Sequence, residues 1–254
     1  MKLKTPQHTQ EARQAAEAPA VDLGPQKAAH ALPDAFRAQA QAPPVRGLAA
    51  FMPVASGATA VPDYDQPTVD LGNDAPVRQI DTPAFRAWFG ASEVVDEAGN
   101  PAVVHHGTNR NIRVFRPKGI GVHLGTPQQA QRAAVVKNGE KVLELYARIE
   151  NPAHLKDFGD AFDSEDGEQF FGLVRAAKDL LDPDQRETLR RDKYRVTTLR
   201  DVVMLLEWAG HDGIVYDNTY EGDGQSWVVF NPDQIKSATN NCGAFDPSNP
   251  DITK

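Results

Sequence analysis

The chain has 254 residues, a formal net charge of −8 and one cysteine, Cys242. An acidic chain is not a generic polyanion binder, so bulk affinity for DNA, RNA or anionic lipid is not expected, and a single cysteine excludes a disulfide framework and a cysteine-rich zinc site. No apolar run approaches the roughly 18 residues of a membrane span, and the basic start MKLKTPQHTQEARQ leads into no apolar signal region; the expected location is the cytoplasm, of the producer or of a target cell if the protein is delivered.

Residues 1–76 are rich in Ala, Pro, Gln and Gly and poor in bulky apolar side chains, and prolines interrupt any helical period. They read as a disordered tail, a linker or a delivery segment, with one short helix signalled over Asp34–Ala42. The folded domain is expected over 77–254. DTPAFRAWFG has a Thr82 cap, Pro83 at the first helical position and Gly90 past the end, with Phe85, Trp88 and Phe89 at helical spacing. VVDEAGNPAVVHHG reads as strand, turn, strand; NIRVFRP and GIGVHLGT read as short strands. TPQQAQRAAVVKNG is a helix capped by Thr126 and followed by Gly139, and EKVLELYARIENP alternates like a half-buried strand. The stretch 155–210 predicts helices in GEQFFGLVRAAKDLL, PDQRETLRRDKY and TLRDVVMLLEWAG, the last capped by Thr198 and ended by Gly210. Phe170, Phe171, Val202, Val203, Leu205 and Leu206 are expected in the core. DGIVYDN and QSWVVFNP are strands, and DQIKSATNNCGAFDPSNPDI is turn-rich. The pattern predicts an α+β domain with short strands and a helical insertion, not a doubly wound sheet.

Several familiar chemistries lack their motif. There is no GxxxxGK[ST], HExxH or GxSxG, and GIGVHLG lies at a strand without the acidic ribose partner of a dinucleotide loop. Three stretches remain. In VVHHGT, neighbouring strand residues face opposite ways, so only one of His105 and His106 faces a given cleft. Gly107 permits close approach of another backbone or a flat ligand, and Thr108 adds a hydroxyl. GVHLGT carries His123 on a strand running into a helix. YDNTYEGDGQSWVVF carries Glu221, Asp223, Gln225 and Ser226 on a glycine-containing loop that feeds a strand. A metal site built from His105, His106 and His123 is not expected, because adjacent strand histidines diverge and no spaced carboxylate completes the set. RRDKYR (Arg190–Arg195) reads as a solvated helix face, and Cys242 as incidental.

DEAGNPAVVHHGT, GIGVHLGTPQQA, IENP and DGIVYDN, with FNPDQIKSATNNCGAFDPSNPDI at the end, resemble the ADP-ribosyltransferase-like domain of phage and mobile-element polyvalent proteins, over about residues 79–254. The resemblance implies a split β-sheet core with a helical insertion. It implies a mono-ADP-ribosyltransferase that uses NAD as substrate, releases nicotinamide and acts as a phage or bacterial effector or toxin. The acceptor would be a macromolecule, a protein in preference to a nucleic acid. By the same resemblance His106 hydrogen-bonds the adenosine-side ribose, Gly107 pairs its main-chain N–H and C=O with the nicotinamide carboxamide, and Thr108 lies beside them. The superfamily's second-strand Tyr falls on His123, which would line the nicotinamide pocket. Its Glu, which grips the ribose 2′-OH and stabilises the oxocarbenium-like state, falls on Ser226. Glu221 is then the candidate carboxylate, with Gln225 and Ser226 as further candidates. The alternative is a catalytically degenerate binding or structural module of the same fold. A third reading, an RNA 2′-phosphotransferase-like reaction, needs a basic phosphate site that no motif marks.

Overall fold

The computed structural model describes residues 68–69 and 77–254. The helix expected at Asp34–Ala42 and nearly all of the expected tail lie outside those residues. Thr68–Val69 (β1), inside that expected tail, pairs antiparallel with Val77–Arg78 (β2). Helix α1, Pro83–Phe89, starts where the sequence signals it: the Thr82 hydroxyl accepts from the Phe85 N–H and Pro83 opens the first turn. Its Phe85, Trp88 and Phe89 are buried with Tyr146 and Phe245 in an aromatic cluster. Asp96 then closes a turn by accepting from the Ala98 and Asn100 N–H groups. The strand expected before that turn shrinks to the single bridge Val95–Pro101, because Pro101 has no N–H with which to extend a ladder.

Two sheets form the centre. The first is antiparallel, with Val104–Thr108 (β3) beside Lys141–Ala147 (β5) and β5 beside Ile235–Ser237 (β9). The second runs Val122–Leu124 (β4), Gln225–Val229 (β8), Gly213–Asp217 (β7), Pro152–His154 (β6) across the sheet. Its pairs are antiparallel except β6 with β7, which is parallel. The sheets share one core: Val104, Leu145, Ala147 and Ile235 from the first meet Val122, Leu124, Val215, Trp227 and Val229 from the second. This is the split-sheet α+β arrangement with a helical insertion that the sequence reading expects. β5 is half-buried only at its start; Leu145, Tyr146 and Ala147 are fully buried.

Helix α2, Pro127–Val136, begins with a reciprocal capping box between Thr126 and Gln129. It lies directly on β3: a Cβ on Gly107 would stand 1.8 Å from the Ala130 carbonyl oxygen and 2.6 Å from the Ala134 nitrogen. The insertion comprises α3 (Gly167–Asp179), α4 (Pro183–Arg191) and α5 (Leu199–Trp208). Val202, Val203, Leu205 and Leu206 are buried as expected. Phe170 is buried too, but Phe171 is 69% exposed. Neighbouring helix residues point about 100° apart, so α3 buries one of the pair and presents the other. NIRVFRP does not form the expected strand; it keeps one bridge, Val114–Asp251, and one buried anchor, Phe115. RRDKYR is largely exposed, and Cys242 is exposed as a free thiol. Among the described residues no helix is long and apolar enough to cross a membrane.

Candidate functional site

Among the described residues, one pair of main-chain bonds joins the two sheets beside the core they share. The His105 N–H donates to the Gly125 carbonyl over 2.9 Å, and the Gly125 N–H returns one to the His105 carbonyl over 3.0 Å. The next pair in that register would be Gly107 with His123, but the ladder stops there and a cleft of about 820 Å³ opens between the sheets. Strand alternation turns the Gly107 N–H and C=O the same way as those of His105, toward this opening.

His106 reaches across the split. Its Nδ1 lies 2.8 Å from the His123 carbonyl oxygen. A carbonyl only accepts, so Nδ1 carries the proton and Nε2 keeps a lone pair. The Phe115 ring braces the imidazole edge-on at 5.1 Å. Burial pushes the His106 pKa down to about 4; the neighbouring Lys137 and His123 act in the same direction, and the bond to the His123 carbonyl opposes them. At neutral pH His106 is therefore an uncharged acceptor. His123 is partly buried against Phe162, ring centroids 6.0 Å apart. Its Nε2 is buried and has no hydrogen-bond partner among the described residues. Burial lowers its pKa, while Asp163 and Glu221 pull the other way.

The far wall is the loop between β7 and β8. Asn218 organises it: the side-chain oxygen accepts from the Tyr220 and Glu221 N–H groups at 3.1 and 2.8 Å. The side-chain nitrogen donates to Glu221 Oε2 at 3.1 Å and to Ser226 Oγ at 3.0 Å. Ser226 donates in turn to Gln129 Oε1 at 3.0 Å, and Gln129 Nε2 donates to the carbonyls of Gly222 and Gly224. Ser226 is thus buried with its hydroxyl both donating and accepting, a fastener between loop and helix. The same network orients the Glu221 carboxylate in the cleft.

The fold brings His106, Gly107, His123, Glu221 and Ser226 to one cleft. Gln225 is exposed opposite Asp217 and does not line it. Thr108 is buried, and its hydroxyl accepts from the Arg110 N–H at 3.2 Å. Sequence reasoning missed four groups of lining residues. Arg110, Arg113, Arg116 and Lys118 give one side a basic rim, and the insertion side contributes Asp157, Asp160 and Asp163. Gln129 and Asn218 hold the loop. Lys137, just past α2, donates from Nζ to the Gly107 carbonyl over 2.9 Å. A signal existed for the rim, since NRNIRVFRPKG crowds cations into an acidic chain. No local pattern marks the others. Among the described residues, no group of three or more His, Cys, Asp or Glu side chains is placed to hold a metal ion.

A family model described as ADP-ribosyltransferase in polyvalent proteins matches residues 96–245, more than half of the chain and the whole of this cleft. The chain is also similar to a solved structure titled "Crystal structure of an anti-CRISPR protein", at 14% identity and a TM-score of 0.27, over 53% of this chain and 91% of that one. A likeness that slight bears on neither fold nor function. A comparison with curated proteins finds no match.

Proposed function

This chain belongs to the family of ADP-ribosyltransferases in polyvalent proteins, and from that membership we propose that it is a mono-ADP-ribosyltransferase that takes NAD as its substrate. The transferase domain is residues 77–254, and 1–76 serves as linker or delivery segment for a phage or bacterial effector. The observation that carries the reading is a carboxylate, Glu221, oriented by Asn218 in the cleft that also holds His106 and the Gly107 strand edge. The chemistry of the lining fits the substrate. Cations at Arg110, Arg116 and Lys118, beside Arg113 in its ion pair with Asp251, suit a diphosphate. The His106 Nε2 lone pair suits a ribose hydroxyl as donor, and the Gly107 edge faces the nicotinamide ring, with His123 beside it.

In the reaction the bond between the ribose C1′ and the pyridinium nitrogen breaks, and its electron pair leaves with neutral nicotinamide. The positive charge that develops on the ribose is stabilised by the Glu221 carboxylate. A nucleophile of the macromolecular acceptor, most simply a protein side chain, bonds to C1′ and gives its proton to that carboxylate. Incubating the full chain with adenylate-labelled NAD and cell lysate tests this, with nicotinamide release followed in parallel. We expect label on a macromolecule, its abolition in His106→Ala, and a fall in kcat of about 100-fold in Glu221→Gln. Full activity in His106→Ala sinks the assignment, and unchanged turnover in Glu221→Gln removes the carboxylate from the mechanism.

A second reading has its own observation. Ser226 stands where the superfamily keeps its Glu and is committed to the loop network. A binding module without turnover would bind NAD and release no nicotinamide in the same assay.

A further inference from the structure

Lys137 occupies the carbonyl that a ring carboxamide would use. Its Nζ donates to the Gly107 oxygen over 2.9 Å, on the strand edge left open beyond the His105–Gly125 bridge. The side chain is anchored at its base, because Lys137 directly follows α2, whose backbone packs on Gly107. Burial works against its charge, and the nearby Asp163 and Glu221 favour it. An unoccupied strand edge offers one acceptor and one donor, the complement of an amide. With one lone pair of the carbonyl engaged and an ammonium standing at that oxygen against any second N–H donor, the edge offers chiefly donors: the Gly107 N–H and the remaining Nζ protons. Donors match an oxygen of the ring substituent and leave an amide –NH₂ without its acceptor. A carboxylate, which only accepts, suits such an edge, and sites discriminate strongly only where a polar group would be left unpaired.

Resting on the NAD reading above, we propose that Lys137 determines specificity by making the subsite read the pyridine substituent through oxygen, so that deamidated NAD, with a carboxylate in place of the carboxamide, is accepted alongside NAD. Calorimetric titration of the full chain with both dinucleotides tests this, repeated on Lys137→Met. We expect the wild type to bind the acid at least as tightly as the amide. Lys137→Met frees the Gly107 carbonyl and removes the charge, turning the preference toward the amide by about tenfold or more. Both ligands are compared on the same sample, so partial loss of folded protein does not alter the ratio of their dissociation constants. Exclusion of the acid by the wild type, or an unchanged ratio in Lys137→Met, overturns the specificity role and leaves the NAD reading standing. Failure of both dinucleotides to bind the wild type overturns both.

Discussion

His106 shows how one residue's surroundings set its chemistry. A solvated histidine titrates near pH 6.5 and is part-charged in the cell; here burial holds the ring near 4, and the His123 carbonyl selects the Nδ1–H tautomer. The same shift makes a stability prediction. Between pH 6.5 and about 4 the unfolded chain has bound this proton and the folded chain has not. Stability from this group is therefore complete above pH 6.5 and is lost as pH falls toward 4, by roughly 3 kcal/mol. His105 and His123, whose pKa values are also lowered, add slope of the same sign. Urea unfolding at pH 7 and pH 4.5 should show a smaller acid loss in His106→Gln than in the wild type; equal losses would refute the assignment. Alternation left one of His105 and His106 for a given cleft, and the family resemblance, in which the histidine directly precedes the glycine, made His106 the candidate. The sequence reading of Gly107 allowed close approach of another backbone or of a flat ligand; the backbone is that of α2, at Ala130 and Ala134, which no local pattern identifies.

At the level of elements, the loop between β7 and β8 is held by side chains from three places in the sequence, Gln129, Asn218 and Ser226. Glycines and polar residues in YEGDGQS announce a loop, and alternation announces the strand after it. Which polar residue faces the cleft follows from Asn218, whose bonds to the Tyr220 and Glu221 N–H groups set the turn. Ser226→Ala takes a donor from Gln129 and an acceptor from Asn218 in a buried setting. It should cost about 2 kcal/mol of stability and lower nicotinamide release by about tenfold through loss of loop position, against the hundredfold expected of Glu221→Gln. Equal losses in the two variants would give Ser226 a direct part in the chemistry. NIRVFRP illustrates the opposite limit: its residues favour a strand, yet its place is taken by side-chain anchors and an ion pair, Arg113 with Asp251 at 2.6 Å.

Across the whole molecule, the C-terminal segment ties the first sheet to the cleft. Lys236, fully buried on β9, donates from Nζ to the carbonyls of Asn249 and Asp251 at 2.6 and 3.4 Å. The Ile252 N–H then donates to the Arg113 carbonyl, and the Ser237 N–H to that of Ile252. The chain thus returns to brace the loop that carries Phe115 against His106. Lys236→Met keeps the length of the side chain and takes that donor from the Asn249 carbonyl, while the Asp251 carbonyl keeps the Lys254 N–H. We expect a loss of about 3 kcal/mol in denaturant unfolding and faster amide exchange at residues 113–115. Unchanged exchange there would mean that the segment does not hold the loop.

Local chemistry was enough to read much of this protein from its sequence. Caps, prolines and glycines mark where helices begin and end, because they act within one turn. Strand alternation tells that the side chains of two neighbouring histidines turn to opposite faces. The three-residue strands β6 and β9, the exposure of Phe171, the fastening of Ser226 and the presence of Lys137 at the Gly107 carbonyl all depend on contacts between residues far apart in the chain. Such contacts have no local signature, because the partner's identity enters only when the two sheets part at Gly107 and α2 closes over them.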